Sequence, residues 1–317
     1  MKTMKWLIRR ELWEHKGMLV WAPAVIAALI AALALGSIIM GHHLNFNDGD
    51  DAVSIGSVTI EGAARTRIVE TMSQAYMMSA MPVLMVLSFV VFFYCLGALN
   101  DERRDRSILF WKSLPVSDLS TVLSKVALAL VVAPLITLAI GTVLSLLILF
   151  AACGAVLAHG TNLFGAMLMS PDLYLTPLRV VGLLPVYILW ALPTVGWLLM
   201  VSSMVRSKVF LWAVGTPLVT SLLLVWAEKM LHFGFDASWF VTRIVDRILL
   251  GAIPGSWIMF EADHVPLQLE AHRMAVPDVI FRGSWATLGG ISVWLGVAAG
   301  VAMIATAVWM RRRREEG

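Results

Sequence analysis

Six long runs of apolar residues constrain the fold of this chain more than any other feature of its sequence. A helix rises about 1.5 Å per residue, so it needs about 20 residues to cross a hydrocarbon core roughly 30 Å thick. Lipid offers no partners to backbone N–H and C=O groups, so each run is expected to be helical. The chain is predicted to be an all-α polytopic membrane protein, a single transmembrane domain over residues 1–317. The six runs cover residues 18–41, 76–98, 122–152, 180–205, 209–227 and 285–310.

The composition favours the same class of protein. Of the 317 residues, 59% are hydrophobic and 14% are charged, whereas soluble domains carry roughly 25% charged residues. The formal net charge of +3 is too small to indicate nucleic-acid binding, and no nucleic-acid partner is expected. The cysteines, Cys95 and Cys153, fall near opposite ends of neighbouring runs, so no disulfide between them is expected.

The first 17 residues predict an amphipathic helix that lies on the membrane surface. Trp6 and Trp13 are the expected anchors at the membrane interface. A basic start followed by an apolar run also resembles a secretory signal peptide. The run 18–41 is, however, longer than the roughly 7 to 15 apolar residues of such a peptide, so it is predicted to be a retained first span. The apolar positions at helical spacing are Met4, Leu7, Ile8 and Leu12.

Basic residues predict the orientation in the membrane. The segments 1–18, 99–125, 206–208 and 311–317 hold 16 of the 24 Lys and Arg residues. Short basic loops stay in the cytoplasm. Both termini are therefore predicted to be cytoplasmic, in a multi-pass protein of the plasma (bacterial inner) membrane. The long segment 228–284 is predicted to face outward.

The predicted spans offer no evident energy source of their own. Their cores contain almost no ionisable residue, whereas ion-coupled carriers place such residues at mid-membrane depth. The chain also has no G-x-x-x-x-G-K-[ST] phosphate loop, so ATP bound in that way would have to be held by another polypeptide. Prolines within the spans are open to two interpretations, packing irregularities or hinges. They are Pro23, Pro82, Pro134, Pro185, Pro193 and Pro217.

No catalytic, cofactor or metal site is predicted. His42 and His43 precede a group of aspartates, yet neighbouring His side chains project in different directions, and a solvated loop is expected. Glu261, with the nearby Asp263 and His264, is expected in an exposed polar loop. The stretch Trp239–Leu250 predicts a helix at the outer interface or partly re-entrant. Its apolar face is Phe240, Val241, Ile244, Val245 and Ile248, and its polar face is Arg243, Asp246 and Arg247.

The densest patch of charge lies between the second and third runs, in residues 99–125. Residues 101–106 carry mixed charges and predict a helical extension, after which Phe110 and Trp111 present apolar surface that favours a binding interface. Pro115 disfavours helix in the residue before it, and Ser117 or Asp118 can cap the next helix. A short rigid knob between two spans is predicted. The alternative is that Phe110 and Trp111 belong to an aromatic belt in the lipid interface.

The sequence LNDERRDRSILFWKSLPVSD, placed after the second of six spans and behind a basic N-terminal helix, resembles the permease subunits of type-2 ABC exporters. The resemblance implies that segment 99–121 holds a coupling helix that docks on a separate ABC ATPase subunit, which carries the ATP and Mg. It also implies a second permease subunit, identical or paralogous, and a re-entrant outer segment, for which Trp239–Gly255 is the candidate. The expected ATPase-coupling residues are Arg103, Arg104, Arg106, Ile108, Phe110, Trp111, Leu114 and Pro115.

The expected function is therefore that of a non-enzymatic subunit of an ATP-driven exporter embedded in membrane lipid. Mostly apolar spans suit an amphipathic or hydrophobic cargo, such as a peptide, an antibiotic or a lipid-like molecule. Two alternatives are a membrane-embedded enzyme acting on lipid-linked substrates and a sensor or scaffold subunit that moves no substrate. A gene for a Walker-motif ATPase beside this one would favour the exporter.

Overall fold

The computed structural model describes residues 2–40, 62–104, 116–158, 160–231, 236–261 and 277–313, and all regular secondary structure in these ranges is helical. Six of the described helices are long and apolar enough to cross a membrane, which confirms the all-α class and the number of spans. We call them spans 1 to 6. They are Gly17–Ile39, Arg65–Arg104, Asp118–Ala158, Pro171–Met204, Val209–Met230 and Ile291–Arg313.

Several spans contain a change of helix type or a break. Span 1 consists of the π turn Gly17–Trp21 and the helix Ala22–Ile39. Span 2 consists of Ala63–Ala75, the 3-10 turn Tyr76–Ala80, Met81–Gly97 and Asn100–Arg104. Span 3 consists of Asp118–Ala127, the π turn Leu128–Val132 and Ala133–Ala158, and span 4 of Pro171–Gly182 and Leu184–Met204. The other described helical pieces are Lys2–Glu14, Phe164–Met169, Ala237–Phe240, the π turn Val241–Val245, Asp246–Leu250, Ser256–Phe260, Pro277–Ala286 and the 3-10 turn Thr287–Gly289.

The ends of the spans differ from the sequence prediction. Spans 2, 3 and 4 extend beyond their apolar runs, because a helix continues wherever polar side chains find partners. Arg65, for example, donates to the Asn162 carbonyl oxygen at 2.8 Å. Span 6 begins later than predicted, at Ile291, because the 3-10 turn before it ends in an extended Gly290.

Two prolines coincide with local widening of a helix. Pro23 and Pro134 each follow a π turn by two residues. A proline ring collides with the carbonyl four residues earlier and offers no N–H, and a wider turn relieves both problems. Pro82 and Pro185 occupy the first turn of a helix, where a missing N–H costs little. The local helix geometry thus accommodates these four prolines.

Spans 4 and 6 form the tightest contact in the bundle. A Cβ atom built on Gly196 would lie 2.6 Å from the Gly300 carbonyl oxygen, and one built on Gly300 would lie 2.9 Å from the Leu192 carbonyl carbon. The two backbones therefore touch, as small residues allow in membrane helices. Large buried side chains such as Trp190 and Tyr94 belong to the main hydrophobic core of the bundle.

The outer surface of the bundle is apolar, as lipid contact requires. Span 1 exposes Leu29 and Leu33, and span 5 exposes Leu222 and Trp226, each by more than half of its surface. Cys95 and Cys153 are both buried and free.

Candidate functional site

One end of the bundle gathers most of the buried charge. The helix Lys2–Glu14, the ends of spans 2, 4 and 6 and the starts of spans 3 and 5 meet there, and we call it the basic end. Five charged side chains from four helices are linked at this end in what we call the charge cluster. Its members are Glu11, Glu102, Asp118, Lys125 and Arg311.

Lys125 lies at the centre of one half of the charge cluster. Its Nζ atom is 2.8 Å from Glu11 Oε1 and 2.9 Å from Glu102 Oε1, and only 1% of the Lys125 side chain is exposed. Tyr94 donates its hydroxyl to Glu11 Oε2 at 3.2 Å, and a ring nitrogen of His15 lies 3.9 Å from the same oxygen. Lys125 therefore joins the N-terminal helix, span 2 and span 3.

Arg311, near the end of span 6, forms the other half of the cluster. Its Nη1 atom lies 2.6 Å from Glu102 Oε2, and its Nε atom lies 2.9 Å from Asp118 Oδ1. Glu102 closes span 2 and Asp118 opens span 3, and in the sequence these two residues flank segment 105–115. One guanidinium thus binds both ends of the predicted coupling segment to span 6.

Burying these charges costs hydration energy, and opposite charges in direct contact must offset that cost. Each of the three carboxylates faces at least one of the two cations, and the cluster carries a net charge of −1. Removal of Lys125 would leave the buried Glu11 carboxylate without its cation, and loss of one partner from a buried ion pair typically destabilises a protein by about 3–5 kcal/mol. The cluster therefore makes the helices at the basic end depend on one another.

Span 2 is also fixed to span 4 at the basic end. Arg103 donates to the carbonyl oxygens of Ser202 and Val205, the latter at 2.9 Å, where a cation is favoured at a helix C-terminus. The Ser202 hydroxyl accepts hydrogen bonds from the backbone N–H groups of Leu99 and Asn100 at 3.2 and 3.1 Å.

Ser117 begins the helix of span 3. Its hydroxyl accepts a hydrogen bond from the Ser120 N–H at 3.2 Å, which confirms one of the two predicted caps. The other candidate, Asp118, binds Arg311 instead.

The predicted coupling residues fall into two groups. Arg103 binds span 4, and Arg104 is exposed beside the 205–208 turn. The other predicted coupling residues lie outside the described residues, and their role stays a prediction: Arg106, Ile108, Phe110, Trp111, Leu114 and Pro115.

The N-terminal helix turns its tryptophans away from the bundle. Trp6 and Trp13 are 67% and 63% exposed, whereas Leu7 and Glu11 are buried. The Arg9 guanidinium lies 5.7 Å from the Trp6 ring centroid and 5.9 Å from that of Trp13. The exposed side of this helix thus combines aromatic and basic groups.

Arg247 lies away from the basic end, and the prediction that it belongs to an outward polar face is wrong. Residues 237–250 are helical as expected, but Arg247 is only 7% exposed and does not face solvent. Its guanidinium lies 4.4 Å from the Trp190 ring centroid, against Gly296, and donates to the carbonyl oxygens of Ser292 and Val293. An aromatic face and two carbonyls from spans 4 and 6 replace water around this cation.

Glu261 also differs from its prediction as an exposed loop residue. It is 4% exposed, accepts a hydrogen bond from Ser292 and pairs with Arg243 at 3.3 Å. Its sequence neighbours Asp263 and His264 lie outside the described residues, as do His42 and His43.

The segment that carries Arg247 reaches far into the bundle. Thr194 Oγ1 donates to the Arg247 carbonyl oxygen at 2.9 Å, and Thr194 is the middle residue of the helix Leu184–Met204. This contact is about 15 Å from the end of span 4, at 1.5 Å per residue. At the start of the segment, hydrogen bonds from Ser238 and Trp239 lower the pKa of the Asp236 carboxyl. The start of this segment contacts span 5 through Ala237 and Glu228, and Arg247 contacts both span 4 and span 6.

Within the described residues, no group of three or more His, Cys, Asp or Glu side chains could hold a metal ion. No protein-family model, no curated protein sequence and no solved structure matches this chain. The charge cluster and the buried Arg247 are the two polar centres from which function can be argued.

Proposed function

We propose that the chain is the membrane-spanning subunit of an ATP-driven exporter and receives mechanical work from a separate ATPase through segment 99–121. In this proposal the chain spans the plasma (bacterial inner) membrane, and the basic end faces the cytoplasm. The N-terminal helix lies along the membrane surface with Trp6 and Trp13 in the interface. A second copy or a paralogue completes the pathway for an amphipathic or hydrophobic cargo.

The observation that carries the proposal is the attachment of segment 105–115 at both ends. Arg311 contacts Glu102 before the segment and Asp118 after it, and Lys125 extends the connection to Glu11. A partner that pushes on this segment would therefore displace span 6 and the N-terminal helix together with spans 2 and 3. An exposed loop with free ends would absorb the same push by bending.

Span 6 also contacts span 4 and, away from the basic end, Arg247. Span 6 touches span 4 through Gly300 and Gly196, and Arg247 binds the first turn of span 6. A movement of Arg311 along or around the span 6 axis would therefore change the packing of residues 237–261. Transmission through packed elements of this kind supports access that alternates between the two sides of the membrane.

The double variant Phe110→Ala with Trp111→Ala tests the proposed ATPase contact. Truncation of two interface anchors at about 2 kcal/mol each is expected to weaken association with the ATPase roughly 700-fold. Co-purification with the ATPase encoded beside this gene, and cargo-stimulated hydrolysis in nanodiscs, should both fall.

The matched control is Phe89→Ala with Trp226→Ala, which removes two exposed aromatic side chains from spans 2 and 5. It should leave both readouts at the level of the unmodified protein. If the Phe110 and Trp111 variant still associates with the ATPase and supports hydrolysis at the unmodified level, the ATPase does not bind this segment.

A further inference from the structure

A cleft of about 530 Å³ opens at the basic end between the end of span 2 and the turn that joins spans 4 and 5. No member of the charge cluster lines it. Its polar rim and its apolar wall come from different residues. The rim includes Asp101, Arg104, Arg206 and Lys208, and the wall includes Phe93 and Leu96.

The rim of the cleft has an excess of positive charge. Arg104, Arg206 and Lys208 supply three cations against the one carboxylate of Asp101, and all four side chains are exposed. Among the described residues, none of the three cations has a carboxylate within ion-pair distance. Arg103, the neighbour of Arg104, is by contrast bound to the end of span 4.

Lys208 occupies an unusual backbone position. Its φ of 56° makes it the one non-glycine residue with positive φ in the described part of the chain. A side-chain residue is disfavoured in this conformation, which glycine adopts freely. Backbone geometry alone would favour glycine at position 208, so the lysine side chain there is expected to have a role of its own.

The position of the cleft relative to the spans indicates its depth in the membrane. Span 4 ends at Met204 and span 5 begins at Val209, so the short turn between them must lie at the membrane boundary. Phe93, on the wall of the cleft, is 51% exposed, and Phe210, next in sequence to the lining residue Val209, is 54% exposed. The cleft is thus cationic at the level of lipid phosphates and apolar at the level of acyl chains.

We infer that this cleft binds the headgroup of an anionic phospholipid. The phosphate lies among Arg104, Arg206 and Lys208, where guanidinium groups offer paired donors to its oxygens. The acyl chains run along Phe93 and Phe210, and Asp101 accepts hydrogen bonds from headgroup hydroxyls. Basic pockets between transmembrane helices bind acidic lipid headgroups by this chemistry. The inference does not depend on the proposed transport function.

Native mass spectrometry of the full chain tests the inference. The probes are phosphatidylglycerol, phosphatidylcholine and inorganic phosphate, each titrated against the purified protein in detergent. Phosphatidylglycerol should bind more tightly than phosphatidylcholine. Each cation contributes about fivefold near the membrane surface, so the triple variant Arg104→Gln, Arg206→Gln and Lys208→Gln should bind phosphatidylglycerol about 100-fold more weakly.

The matched control removes three other exposed cations from the basic end, by Lys5→Gln, Arg9→Gln and Arg312→Gln, and should retain binding. Lys208→Gly removes one cation and places glycine at a φ that glycine adopts freely, so a loss of phosphatidylglycerol affinity in this variant is not due to backbone strain at residue 208.

Three results would overturn the inference. Equal affinities for phosphatidylglycerol and phosphatidylcholine would exclude a headgroup site. Binding of inorganic phosphate as tight as that of the lipid would assign the cleft to a soluble anion. Undiminished phosphatidylglycerol binding by the triple variant would show that Arg104, Arg206 and Lys208 do not form the headgroup site.

Discussion

Replacement of Lys125 by methionine is expected to lower the free energy of unfolding by about 3–5 kcal/mol. Methionine fills a similar volume but leaves Glu11, which is 1% exposed, without the ammonium group 2.8 Å away. Glu102 keeps Arg311 as a partner, so the unpaired charge of Glu11 dominates the loss. Reversible unfolding in mixed micelles, followed by tryptophan fluorescence, measures the difference.

A second substitution separates loss of charge from loss of packing. The double variant Lys125→Met with Glu11→Gln removes one cation and one anion, so the cluster keeps its net charge of −1. It should recover much of the lost stability. The exposed pair of Arg282 and Asp278 provides the control, because Arg282 is 80% exposed and Arg282→Met should cost less than about 1 kcal/mol. Equal stability of Lys125→Met and the unmodified protein would contradict the assignment of a buried ion pair.

Gly300→Ala is expected to destabilise the contact between spans 4 and 6 by about 1–3 kcal/mol, and Gly300→Leu by more. The added Cβ atom would lie 2.9 Å from carbonyl atoms of Leu192 and 3.0 Å from the Pro193 nitrogen. These are backbone atoms, so no side-chain rotation can make room and the two helices must separate. Thermal unfolding of the purified variants measures the effect.

Gly154→Ala is the matched control for the helix contact. Gly154 also lies inside a spanning helix, but a Cβ atom there meets nothing within 4 Å. Alanine favours helix over glycine by about 1 kcal/mol, so this variant should be as stable as the unmodified protein or more stable. A similar loss of stability in both variants would show that the Gly300 contact is not special.

The sequence predicts the spans well because hydropathy is a local property. All six apolar runs become helices, and Ser117 caps span 3 as its position before an amphipathic turn indicates. The ends of the spans are less predictable, because a helix can continue through polar residues such as Arg65 when another segment supplies a partner.

The charge cluster is not predictable from local pattern. Glu11 and Lys125 are separated by 114 positions in the sequence, and each alone resembles a charged residue at the edge of a membrane helix. Their burial depends on where the N-terminal helix crosses span 3. Arg247 shows the same limitation, because its helical face is polar in the sequence and only spans 4 and 6 supply the aromatic ring and carbonyls that accommodate it.

Arg311→Lys provides the most direct test of the proposed transmission from segment 105–115 to the bundle. Lysine keeps the positive charge, but a single ammonium cannot reproduce the fork that reaches Glu102 and Asp118 from two different nitrogens.

The exposed neighbour variant Arg312→Lys serves as the control. The measurement is ATP hydrolysis by the proposed partner ATPase in nanodiscs, with and without this chain. Arg311→Lys is expected to co-purify with the ATPase normally while stimulated hydrolysis falls about 2- to 30-fold, the range of typical coupling energies. Stimulated hydrolysis at the level of the Arg312→Lys control would contradict the claim that Arg311 passes work from this segment into the membrane.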